Sequence, residues 1–122
     1  MKIIQQVFKL DKNKYYLMHL GILNAILPVK LTDKELEVLA GFMELDENII
    51  EDSYFNPVAR KKVLKKLELS PAGLSNHLKS MLDKGFLIKN SITNIITIKE
   101  FLLPEINGQG YQFKIIKNEV TK

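Results

Sequence analysis

Apolar residues along this 122-residue chain change period twice, and each change marks a change of predicted structure. Residues 2–10 hold Ile, Val, Phe and Leu without clean alternation, which predicts a short strand or an ordered arm. From Asn13 to Leu27, Tyr15, Tyr16, Met18, Leu20, Ile22, Leu23, Ile26 and Leu27 cover most of a helical circumference before Pro28 ends the run. Such a helix needs burial on more than one side. It is either a central core helix or a helix that lends part of its surface to a homodimer seam. Thr32 with Glu35 three residues later makes a capping box, and Leu36, Val38, Leu39, Phe42 and Met43 form the stripe of a helix ending near Leu45. The segment Asp46–Phe55 reads as a connector: DENIIED offers oxygen ligands but lacks the central glycine and terminal glutamate of a calcium loop.

Asn56 to Leu87 carries the densest punctuation. Asn56 is an N-cap with Pro57 at the first helical position, and Ser70-Pro71 repeats the signal one helix later. Leu67-Glu68-Leu69 leaves room only for a short turn, and Gly85 is a C-terminal stop. In the first of these helices Ala59, Val63, Leu64 and Leu67 take core positions; in the second, Leu74, Leu78, Met81 and Leu82 do. A helix, a turn and a second helix are predicted over residues 56–84. Period-two patterning then predicts strands at Phe86–Lys89, Ile95–Leu103 and Tyr111–Lys117. Pro104 and Asn107-Gly108-Gln109-Gly110 mark a hairpin turn between the last two. The expected class is α+β, one domain over 1–122: an arm and helix to residue 28, a helical core over 31–85 and hairpin strands over 86–117.

Composition narrows the chemistry. With no cysteine there are no disulfides, thiol nucleophiles or thiolate metal sites. No run is long enough for a transmembrane helix, and the N-terminus is too polar for a signal peptide, so a cytoplasmic location without membrane association is expected. The net charge of +4 is unevenly spread. Leu31–Tyr54 sets one base against eight acids, a net −7, whereas Ala59–Asn90 sets eight bases against two acids, a net +6. The basic block coincides with the two-helix unit. His19 and His77 are the only imidazoles, and nothing resembles a nucleophile elbow, a Walker motif or a paired-carboxylate site. His19 reads as a core or interface histidine; His77 falls between the faces of its helix. No enzyme activity, metal or cofactor is expected.

The segment LSPAGLSNHLKSMLDKGFLIK resembles the recognition-helix region of ArsR-like and MarR-like winged-helix regulators, and the likeness spans about Leu31 to Lys89. It implies a winged helix-turn-helix fold and a double-stranded DNA partner, in a bacterial or phage transcriptional regulator. By position it assigns Ala72, Gly73, Ser75, Asn76 and Lys79 to base contacts. Arg60, Lys61, Lys62, Lys65, Lys66, Ser70 and Lys84 would contact phosphate. Arg60 is the only arginine, and the expected wing tip Glu105–Gly110 has no basic residue, so lysines would dominate binding and base specificity would be limited. The chain lacks the long C-terminal helix with which MarR-like proteins dimerise. A homo-oligomer would therefore use the 13–27 helix or another surface. The alternative is a winged-helix interaction module whose basic face docks an acidic protein partner within a virion, as a structural component, or within a replication complex.

Overall fold

A computed structural model describes residues 2–118. Helices α1 (Lys12–Ile26), α2 (Asp33–Met43), α3 (Pro57–Leu67) and α4 (Pro71–Asp83) precede strands β1 (Leu87–Lys89) and β2 (Ile96–Ile98), and a single 3₁₀ turn covers Glu100–Leu102. The strands pair antiparallel in the register Leu87–Ile98, Ile88–Thr97 and Lys89–Ile96. The chain is thus α+β, four helices followed by a two-stranded hairpin.

Each helix starts on a side-chain cap. Asp11, Thr32, Asn56 and Ser70 accept from the amides of Lys14, Glu35, Ala59 and Gly73, and the Glu35 carboxylate answers the Thr32 amide to complete the capping box. The ends of α3 and α4 are alike. The Leu69 amide returns to the Leu64 carbonyl and the Phe86 amide to the Met81 carbonyl, both at 3.0 Å. The left-handed residue this closure needs is Gly85 (φ 84°) after α4 but Glu68 (φ 54°) after α3. Glycine adopts that conformation without strain; glutamate does so at a cost of roughly 1–2 kcal/mol. The turn between α3 and α4 therefore persists because Val63 and Leu74 lock the flanking helices into a shared core.

That core is centred on α2, whose residues from Val38 to Met43 are all buried. Against it lie Leu20 of α1, Ala59 and Val63 of α3, Leu74, Leu78 and Met81 of α4, then Leu87, Ile98 and Leu102. Phe42 meets Phe55 of the α2–α3 connector edge-on, with ring centroids 4.7 Å apart. The connector is otherwise fixed by Asn56, whose amide donates to the carbonyls of Ile49 and Ser53. The central helix is therefore α2 and not the more apolar α1, which has only His19 and Leu20 fully buried.

Three expectations about extended structure are corrected. Of the two alternatives for residues 2–10, the strand does not form; they run as an exposed arm without backbone partners. Tyr111–Lys117 alternates well but forms no strand either, because no neighbouring edge in the described protein takes its backbone bonds. Of Ile95–Leu103, only Ile96–Ile98 is strand. The hairpin turn is accordingly Asn90–Ile95, not the Pro104–Gly110 segment. Asn90 Oδ1 accepts from the amides of Ile92 (2.8 Å) and Thr93 (3.0 Å), and Asn94 takes the left-handed conformation (φ 60°) that asparagine tolerates. The hairpin strands thus occupy part of 87–98 instead of 86–117. Among the described residues no helix is long and apolar enough to cross a membrane.

Candidate nucleic-acid interface

Helix α4 has two unlike faces. Leu74, Leu78 and Met81 are buried, while Ala72, Ser75, Asn76 and Lys79 stand exposed. The side chains of Ser75, Asn76 and Lys79 make no hydrogen bond or ion pair within the described protein, so their donors and acceptors face water. Ser70 uses its hydroxyl oxygen to cap the Gly73 amide at 3.0 Å and keeps its proton free to donate. Gly73, expected at a base edge, is half-buried, and a Cβ there would lie 3.0 Å from Ser70 Oγ. Its small size makes room for the cap, a local role that the sequence pattern did not separate from close approach to a ligand.

The basic residues of α3 divide similarly. Lys61, Lys62 and Lys65 are exposed and form no salt bridge among the described residues. Arg60 is half-buried, and its Nε donates to the Phe55 carbonyl at 2.7 Å, tying α3 to the connector. Lys66 is ion-paired with Glu44 at the end of α2. Lys84 Nζ lies 2.6 Å from Glu35 Oε1 and 3.0 Å from the Lys30 carbonyl. These contacts hold Lys66 and Lys84 to the protein's own acceptors and leave them less available to phosphate than the three free lysines.

Glu35 is the least expected member of the set, because the capping box alone would leave it at the surface. It is 1% exposed. Burial works to raise its carboxyl pKa, but the Lys84 ammonium and the Thr32 amide outweigh burial and hold it below the ordinary 4.5. The acidic and basic blocks of the sequence therefore meet in space through Glu35–Lys84 and Glu44–Lys66, which removes part of the charge segregation that the linear pattern suggests.

A second polar cluster joins α1 to the C-terminal segment. His19 Nε2 lies 2.8 Å from the Leu102 carbonyl, and Nδ1 is hydrogen-bonded to the Tyr111 hydroxyl. The Nε2–H tautomer satisfies both contacts, donating to Leu102 and accepting from the phenol. Burial lowers the His19 pKa, partly opposed by the Leu102 carbonyl; burial, with the Tyr15 phenol adding to it, pushes Tyr111 up to about 12. Both groups are therefore neutral near pH 7. The Tyr15 hydroxyl donates to the Glu105 carbonyl at 2.5 Å and completes the attachment. His77 is half-buried on α4. Among the described residues no three His, Asp or Glu side chains gather as metal donors.

The hairpin turn adds residues that the sequence reading misplaced. Asn90–Ile95 contains no basic residue; Lys89 ends β1 beside the turn, paired with Ile96, whereas Lys99 stands at the hairpin's base. The signal was present in the Asn-Ser…Thr-Asn spacing, which suits a turn as well as Pro104 and the glycines do. No protein-family model, curated protein or solved structure matches this chain.

Proposed function

We propose that this chain is a winged-helix protein that binds double-stranded DNA, with α4 in the major groove, and that it serves as a transcriptional regulator. The observation that carries the reading is the outer face of α4. Ser75, Asn76 and Lys79 project unpaired side chains from a helix whose opposite face is fixed in the core. Such a helix can enter a groove without reorganising, and small residues at its start allow close approach to base edges. Lys61, Lys62 and Lys65 on the preceding helix suit phosphate, and the β1–β2 hairpin follows α4 in the order a wing requires. The role is one of binding, not catalysis.

The expected binding is largely electrostatic, since free lysines outnumber base readers. With about three to five phosphates neutralised, log affinity should fall against log salt with a slope near −0.9 per phosphate. The test titrates the full 122-residue chain against random duplex and against a site selected from a random library, at fixed salt. Lys62→Glu with Lys65→Glu should weaken both, whereas Asn76→Ala should spare random duplex and lose preference at one base position by about 1–3 kcal/mol. A wild-type protein that binds no duplex would refute the reading. The interaction-module alternative, with an acidic partner on the basic face, would use the same Lys61, Lys62 and Lys65, since Lys66 and Lys84 have acidic partners within the chain, and failure to bind any duplex would favour it.

A further inference from the structure

Helix α1 is apolar on two faces, and the chain buries only one. Tyr16, Leu20, Leu23 and Leu27 pack on the core, whereas Met18, Ile22 and Ile26 recur every fourth residue on a second face, with Met18 and Ile26 exposed. Helices apolar all round are normally buried all round. Met18 and Ile22 form part of the floor of an open groove of about 1060 Å³, walled by residues 4–10 on one side and 106–111 on the other. The first wall is unfinished as well. Residues 2–10 are exposed, rich in Ile, Val and Phe, and among the described residues their amides and carbonyls form no backbone–backbone hydrogen bond; the same holds for 112–118, just beyond the second wall.

The surface area says how much cover is missing. The chain exposes 9208 Å². A compact monomer of 14.0 kDa exposes about 6,700 Å². The surplus is roughly 2,500 Å² per copy, about 5,000 Å² for two copies, which reaches the upper end of the roughly 2,000–5,000 Å² that obligate homodimer interfaces bury between both partners.

We propose that the protein forms a two-fold homodimer in which the second face of α1 and the exposed segment 2–10 of each copy cover the same elements of its partner. A second copy is the occupant because one surface carries both the open groove and an exposed apolar segment without backbone partners. A two-fold axis brings each onto the other, so this surface closes within the pair. Backbone pairing of the 2–10 segments would satisfy the groups that the lone chain leaves to water. The dimer is independent of the DNA reading, because it uses none of the exposed residues of α3 and α4.

The experiment is sedimentation equilibrium of the full chain across the micromolar range, with hydrogen exchange on the same samples. The expected mass is twice 14.0 kDa, with amides of residues 3–10 exchanging slowly. Met18→Glu should yield a monomer in which those amides exchange fast. Ile4→Glu with Phe8→Glu, placed outside any helix or strand, should do the same while the helical circular dichroism stays that of wild type. A wild-type monomer at every concentration, open-ended growth beyond a dimer, or both variants remaining dimeric would overturn the proposal.

Discussion

Helix α4 and the segment from Tyr111 to Lys117 are both rich in apolar side chains, yet one is a fixed element of the core and the other runs exposed beyond Tyr111. Hydrophobicity does not separate them. Each turn of α4 makes its own hydrogen bonds four residues along, so a cap at Ser70, a stop at Gly85 and one apolar stripe suffice once α2 offers a surface. A strand makes none of its bonds internally. Tyr111, Phe113 and Ile115 alternate as a strand should, and the Tyr111 and Phe113 rings stack on one side at 6.5 Å, but the backbone has no partner edge in the described protein. The same holds at the other terminus. Regularity that needs a distant partner exists only where the partner is placed.

This contrast can be broken most directly by truncation. Leu78, 3% exposed, lies at the centre of the α4 stripe, and Leu78→Ala should cost about 2–5 kcal/mol in urea unfolding. Ile115→Ala, at a site 95% exposed, should change stability by no more than about 0.5 kcal/mol in dilute protein. Equal losses at the two sites would mean that the C-terminal segment is packed after all.

Lys84→Ala should come next, at about 1–3 kcal/mol, because it strips the ammonium from a buried carboxylate. It also changes the pH profile. Glu35 titrates below 4.5 in the folded chain, so the unfolded chain takes up the proton first as pH falls. Its stabilisation is therefore present above pH 4.5 and lost as pH drops through the folded value. Without Lys84 the folded carboxyl pKa rises, so folding no longer favours the ionised form as strongly and the loss on acidification should shrink. His19 adds its own loss as pH falls from its ordinary 6.5, since burial favours the neutral ring. An unchanged acid profile in Lys84→Ala would show that the pair is not what holds Glu35 ionised.

A smaller effect is expected where the C-terminal segment is tied to α1. Tyr111→Phe removes the phenol from His19 and should cost about 0.5–1.5 kcal/mol. Faster amide exchange should appear around residues 105–111, with α4 unaffected. Exchange accelerating equally in α4 would show that the segment and the core open as one unit. The smallest change is at the α3–α4 turn. Glu68→Gly relieves a left-handed glutamate at the price of extra freedom in the unfolded chain, so a gain of up to about 1 kcal/mol in melting experiments is expected. A loss would mean that the Glu68 side chain has a role its backbone conformation does not reveal.

The four helices were legible in the sequence because their determinants are local. Asn56-Pro57, Ser70-Pro71, the Thr32–Glu35 box and Gly85 each act within a few residues, and the apolar stripes repeat at the period of the helix they build. Of the candidate interface, the exposure of Ser75, Asn76, Lys61, Lys62 and Lys65 followed from the same periodicity. Glu68 gave no such cue, since a left-handed helix stop is read from glycine and this one is held by the packing of its neighbours. The tertiary structure alone decided that α2 and not α1 is central, that the hairpin turns at Asn90–Ile95, and that Lys66 and Lys84 face Glu44 and Glu35. It also brought His19 to Tyr111 across most of the chain. Each of these depends on which distant segment arrives at a given surface. Strand pairing, ion pairing and burial are properties of two partners, whereas a capped helix is largely a property of one stretch of chain.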